Sequence, residues 1–128
     1  MRTRVLLSIA LLLSLFGEPV GAEPAPSDEV RAAAHYAANE WGIDEAAMLR
    51  VAWCESRYDP NAENRKHIGL WQHRKDKWGT RVREFNRQAQ QAGIPTMTGV
   101  ARAPIDNARV TARMVKGTGG WSQWSCKP

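Results

Sequence analysis

From Asp28 to Lys116 the apolar residues of this chain return at helical spacing in stretch after stretch, and nowhere does a run of β-branched residues alternate with polar ones. That pattern commits the chain to a mainly α fold. The first stretch, Asp28 to Trp41, follows Ser27 as an N-cap, repeats Val30, Ala33, Ala34, Ala37 and Trp41, and meets Gly42 as its stop. Asp44 caps a second, in which Met48, Val51, Ala52 and Glu55 fall at i, i+3, i+4 and i+7. Trp78 to Gln91 carries a third through Val82, Phe85 and Ala89, ending at Gly93 and Pro95. A fourth opens at Pro104, runs to Lys116, and is closed by Gly117, Gly119 and Gly120. Between the second and third, Asp59-Pro60-Asn61 signals a turn, and the polar stretch that follows leaves room for at most a short hairpin near residues 66 to 73. One compact domain is expected from 128 residues with no internal repeat.

The first residues read as an address and not as structure. Arg2 and Arg4 precede a largely apolar run of twelve, Val5 to Phe16, too short to span a bilayer, and Val20-Gly21-Ala22 supplies small residues for cleavage. The expected organisation is a signal peptide over residues 1–22, a short Pro-Ala linker over 23–27, and the folded domain over 28–128. The alternative, an uncleaved anchor, suits the short run poorly. Export, to the cell envelope or beyond it, brings the chain into oxidising surroundings, so its two cysteines, Cys54 and Cys126, are expected to pair and to tether the C-terminus beside Glu55. No transmembrane segment is expected in the mature chain.

Charge is divided unevenly. Residues 23–64 hold three basic and nine acidic groups, and residues 65–128 hold thirteen basic and three acidic ones. The run Arg65, Lys66, Arg74, Lys75, Lys77, Arg81, Arg83 and Arg87 dominates the second half. It suits an anionic polymer, although solvated arginines and lysines make the same pattern. His35, His67 and His73 with two cysteines give no zinc spacing, so no metal and no cofactor are expected.

Glu55 is the residue the pattern singles out. It ends the apolar stripe of its helix, where burial and the negative end of the helix dipole both favour the protonated acid, ready to act as a general acid. From spacing alone it is equally a helix-edge carboxylate paired with Arg50 or Arg57.

The wider constellation favours the acid. Cys54-Glu55-Ser56, Asp59-Pro60-Asn61-Ala62, Gly69-Leu70-Trp71-Gln72, Asn107, and Gly120-Trp121-Ser122-Gln123-Trp124-Ser125-Cys126, in that order, resemble the soluble lytic transglycosylase domains of the lysozyme-like superfamily. The resemblance runs from about Val30 to Cys126. It implies a lysozyme-like domain that cleaves the β-1,4 bond between N-acetylmuramic acid and N-acetylglucosamine in peptidoglycan glycan strands. It implies Glu55 as the single catalytic acid/base, Ser56 as its support, and Gly69, Leu70, Trp71, Gln72 and Asn107 as substrate-binding residues. A glycosidic oxygen leaves poorly without a proton, Gln72 brings a donor and an acceptor to sugar groups, and Gly69 lets backbone approach a ring.

Among the tryptophans, Trp41, Trp53, Trp121 and Trp124 read as core, and Trp71 as a platform for a sugar. The chain departs from the family in one place. A tyrosine that reaches toward the catalytic glutamate is expected two turns after Asn107, and Met114 stands there, so Tyr58 or a tryptophan must supply the contact or the acid is held less well. The domain is also short for the family, which implies a clipped cleft. With no second carboxylate placed to activate water, the expected products are 1,6-anhydro-muramyl ends. The rivals are a hydrolytic lysozyme, a non-catalytic wall-binding module, and a secreted ribonuclease using Glu55 with His67 or His73; no nucleic acid partner is expected, and the chain is expected to act as a monomer.

Overall fold

A computed structural model describes residues 24–117 and 119–128, so the expected signal peptide lies outside the described residues. The architecture is mainly helical with a two-stranded hairpin, as the spacing predicts, and one disulfide, as export and the cysteine pair predict. Helix α1 spans Asp28–Trp41, and Ser27 accepts from the Val30 N–H at its start. Gly42, at φ 67°, closes it by donating to the Ala38 carbonyl. Helix α2 spans Glu45–Ser56 behind the Asp44 cap and buries Met48, Val51 and Ala52. Arg57 and Tyr58 both take positive φ, 54° and 62°, which turns the chain sharply away from the helix end.

The hairpin pairs β1 (His67–Ile68) with β2 (His73–Arg74), His67 opposite Arg74 and Ile68 opposite His73. It lies within a residue of its expected position. β2 runs straight into helix α3, Lys75–Ala92, which therefore begins three residues before the expected Trp78. Its first turn, Lys75-Asp76-Lys77, is exposed and polar, so the apolar period that marks a helix starts only one turn in. Helix α4 spans Pro104–Gly117.

The centre of the molecule is α4. Every residue from Asn107 to Met114 is buried, with α1 packed along one side and α3 along another. A helix buried all round is ordinarily apolar. This one carries Asn107, Arg109, Thr111 and Arg113, two residues apart, so the polar groups point around the helix and each needs a partner inside the protein. Arg109 takes a bidentate bond to Glu40 of α1, at 2.9 and 2.8 Å, donates to the Pro95 carbonyl at 2.7 Å and lies over the Phe85 ring. Asn107 accepts from the Trp71 N–H at 3.0 Å and donates to the Ala101 carbonyl at 2.9 Å.

Thr111 and His73 complete a buried chain. The Thr111 hydroxyl donates to the Asn107 carbonyl at 2.8 Å, so it accepts from His73 Nε2–H at 2.7 Å, and His73 Nδ1 accepts from Arg81 at 2.9 Å. That fixes the tautomer. Complete burial, with the Arg81 guanidinium beside the ring, pushes the His73 imidazole down to about 3. A base held neutral when folded takes up its proton on unfolding near 6.5, so this stability is fully present above pH 6.5 and is lost as pH falls from there toward about 3. The expected slope for the one group is about 1.4 kcal/mol per pH unit. Urea unfolding at pH 7 and 4.5, with imidazole NMR shifts showing His73 neutral at both, checks it; a protonated His73 at pH 4.5 in the folded protein would contradict it.

Candidate functional site

Glu55 stands one residue before the C-terminal end of α2 and is half-buried. Its Oε1 accepts from the Cys126 backbone N–H at 3.1 Å and from the Ser125 hydroxyl at 3.2 Å. The tail is held there by the Cys54–Cys126 disulfide, whose Cα atoms are 6.0 Å apart, so the expected pairing and tether are both present. The partners that would make Glu55 a helix-edge ion pair are engaged elsewhere. Arg50 reaches Asp44, and Arg57 lies over the Trp53 ring at 4.8 Å.

Ser56 does not reach the acid. Its buried hydroxyl donates to the Ala52 carbonyl one turn back, so its part is to finish the helix that carries Glu55. The Gly69–Gln72 turn and Asn107 come together as expected, but three of the turn's four residues and Asn107 belong to the interior. Leu70 and Trp71 are fully buried, and the Trp71 indole N–H donates to the Met48 carbonyl at 3.0 Å. Trp71 is therefore a core residue and not a sugar platform. Gly69, at φ 87°, is glycine because a Cβ there would stand 2.2 Å from Asn107 Nδ2, so the close approach it allows is to Asn107 and not to a ring. Asn107 holds the turn against α4 and does not line a cleft.

Gln72 is the member of the turn that reaches open space. It takes φ 50°, its Nε2 donates to the Ala62 and Gly69 carbonyls at 3.0 and 2.8 Å, and it lines a cavity of about 450 Å³. Arg74, Lys77, Arg81, Arg113, Met114 and Trp124 share that lining, and Glu55 does not. The tail links the two places. Gln123 and Trp124 line the cavity, while Ser125 and Cys126, the next two residues, hold Glu55. Trp124 is core, as expected, its indole donating to the Trp71 carbonyl at 2.9 Å, whereas Trp121 is half-buried and packs edge-on against it. Met114, where the tyrosine is missing, is buried at the cavity wall.

Four carboxylates that could serve as a second catalytic group are engaged elsewhere. Asp59 caps its own turn at Asn61, Glu63 pairs with Lys75 and Arg102, Asp76 pairs with Arg74, and Asp106 accepts from the Val100 N–H. Among the described residues, no group of His, Cys, Asp and Glu is placed to hold a metal ion. Nor is any described helix long and apolar enough to cross a membrane. Arg113 is the lining residue that reading the basic run overlooked. The signal was available in α4, whose polar residues recur at every second position and so cannot share one solvent face. No protein-family model, curated protein or solved structure matches the chain.

Proposed function

We propose that this protein is an exported enzyme that cleaves the β-1,4 bond between N-acetylmuramic acid and N-acetylglucosamine in peptidoglycan, with Glu55 as its only acid/base. The observation that carries the reading is the asymmetry of the Glu55 carboxyl. Both of its hydrogen bonds among the described residues fall on Oε1, as an acceptor, so in the protonated acid the hydrogen resides on Oε2. A carboxylic acid held by one oxygen presents its proton with the other, which is the geometry a general acid needs.

The reaction runs in two proton transfers. Oε2–H protonates the glycosidic oxygen as the bond to the muramyl C1 breaks and positive charge develops on the ring, which the new Glu55 carboxylate stabilises. Glu55 then takes the proton of the muramyl C6 hydroxyl while that oxygen bonds to C1, closing a 1,6-anhydro ring. Engagement of Asp59, Glu63, Asp76 and Asp106 elsewhere supports this course over hydrolysis with a second carboxylate. The Cys126 N–H and Ser125 hydroxyl do for the acid what the missing tyrosine would do in the family the sequence resembles. Gln72, with its amide nitrogen turned to Ala62 and Gly69, offers its carbonyl oxygen to a sugar hydroxyl. The ribonuclease alternative loses one partner, since His73 is buried, neutral and bonded at both ring nitrogens. Clearing of a peptidoglycan-containing gel by the purified protein tests the proposal. An intact gel with protein retained on the wall would favour a binding module.

A further inference from the structure

Of the four polar residues buried along α4, Asn107, Arg109 and Thr111 are hydrogen-bonded within the protein, and Arg113 is left with an unpartnered nitrogen. Arg113 is 6% exposed and lines the cavity, and its Nε is the one buried side-chain nitrogen or oxygen without a hydrogen-bond partner among the described residues. A guanidinium N–H left so costs about 1–3 kcal/mol or more, and the same side chain lines the cavity, where a ligand can meet its charge. The rest of the wall has the same sign. Arg74, Lys77 and Arg81 stand with Arg113 around the cavity, where Glu84 is the one lining carboxylate; Arg74 is also bidentate to Asp76 outside the lining, and Arg81 bonds His73 and Gln123. Glu84 is already held by Arg87 and Gln88. Burial and the neighbouring Arg74 charge both lower the proton affinity of Arg81, and burial lowers that of Arg113. An anion between them would oppose these shifts, as the Glu84 charge already does at Arg113.

We propose that this cavity is a binding site for a phosphate group. The donors fix the shape of the ligand as well as its charge. Arg113 approaches from α4, Lys77 and Arg81 from α3, and Arg74 from the position just before α3. A planar carboxylate has two oxygens in one plane, whereas a phosphate presents three or more in different directions and can be met by cations on separate walls. The basic run of the sequence thereby gains a focus, since Arg74, Lys77 and Arg81 converge on one cavity while Arg65 and Lys66 lie outside it. The site shares Gln72 with the proposed sugar contact but does not include Glu55, and it does not rest on the wall-cleaving reading.

Titration with inorganic phosphate, and separately with acetate, followed by calorimetry and by the NMR resonance of Arg113 Nε–H, tests it. Saturable phosphate binding that moves that resonance, with acetate weaker, is expected. Arg113→Met is expected to weaken phosphate binding by about tenfold or more, the effect of one lost charge-assisted contact. Because Arg113 is buried, Lys77→Glu provides a second variant at an exposed lining position, with the same loss expected. No saturable binding, acetate equal to phosphate, or an unmoved Arg113 resonance would overturn the proposal.

Discussion

Glu55→Gln is expected to lower the rate of peptidoglycan cleavage by about 100- to 10,000-fold, the range for loss of a general acid, and to leave the melting temperature nearly unchanged. The structure explains why the two effects separate. The oxygen that accepts from Ser125 and Cys126 is kept by a glutamine amide, so the tail should remain tied to α2 and, on the proposed mechanism, the substitution removes only the proton to be transferred. Rates on purified wall material and a thermal melt, measured on both proteins, check this. Cleavage within a few-fold of the unaltered protein would remove Glu55 from the mechanism.

The second large effect concerns the disulfide. Cys54 and Cys126 close a loop with a sequence separation of 72. In the chain-entropy account such a closure is worth about 4 kcal/mol. For a domain near this size that corresponds to a fall in Tm of roughly 15 °C on reduction. Activity should fall as well, because the Cys126 N–H that orients Glu55 lies on the tail the bridge fastens. Melting and wall-cleavage rates of Cys126→Ser beside the unaltered protein measure both, and a variant equal to it in rate would mean that the tail does not position the acid.

The helices were legible because their signals are local. Ser27, Gly42, Asp44 and Gly93 all cap as their residue types predict, and each acts through its own backbone neighbours. What misled was the Gly69–Gln72 turn. A turn flanked by polar residues reads as surface, yet Leu70 and Trp71 face inward because Asn107, 36 residues further on, draws the turn against α4 through the Trp71 N–H. Long-range hydrogen bonds of that kind leave no periodic mark. The buried Glu40–Arg109 pair is another, joining residues that read separately as solvated charges. Glu55 stands out in the sequence because an apolar stripe ending in a carboxylate is itself a local anomaly. Its partners in the tail were foreshadowed by the cysteine pair and not by any pattern around Ser125.

The most direct measurement is the mass of the fragments released from purified peptidoglycan. Intramolecular closure at C1 removes no water from solution and adds none to the sugar, so the released muropeptides should lie one water, about 18 Da, below hydrolysis products. Soluble fragments with 1,6-anhydro-N-acetylmuramic acid ends from the unaltered protein, and none from Glu55→Gln, are the predicted result. Fragments bearing only reducing ends, or none at all from the unaltered protein, would contradict the account.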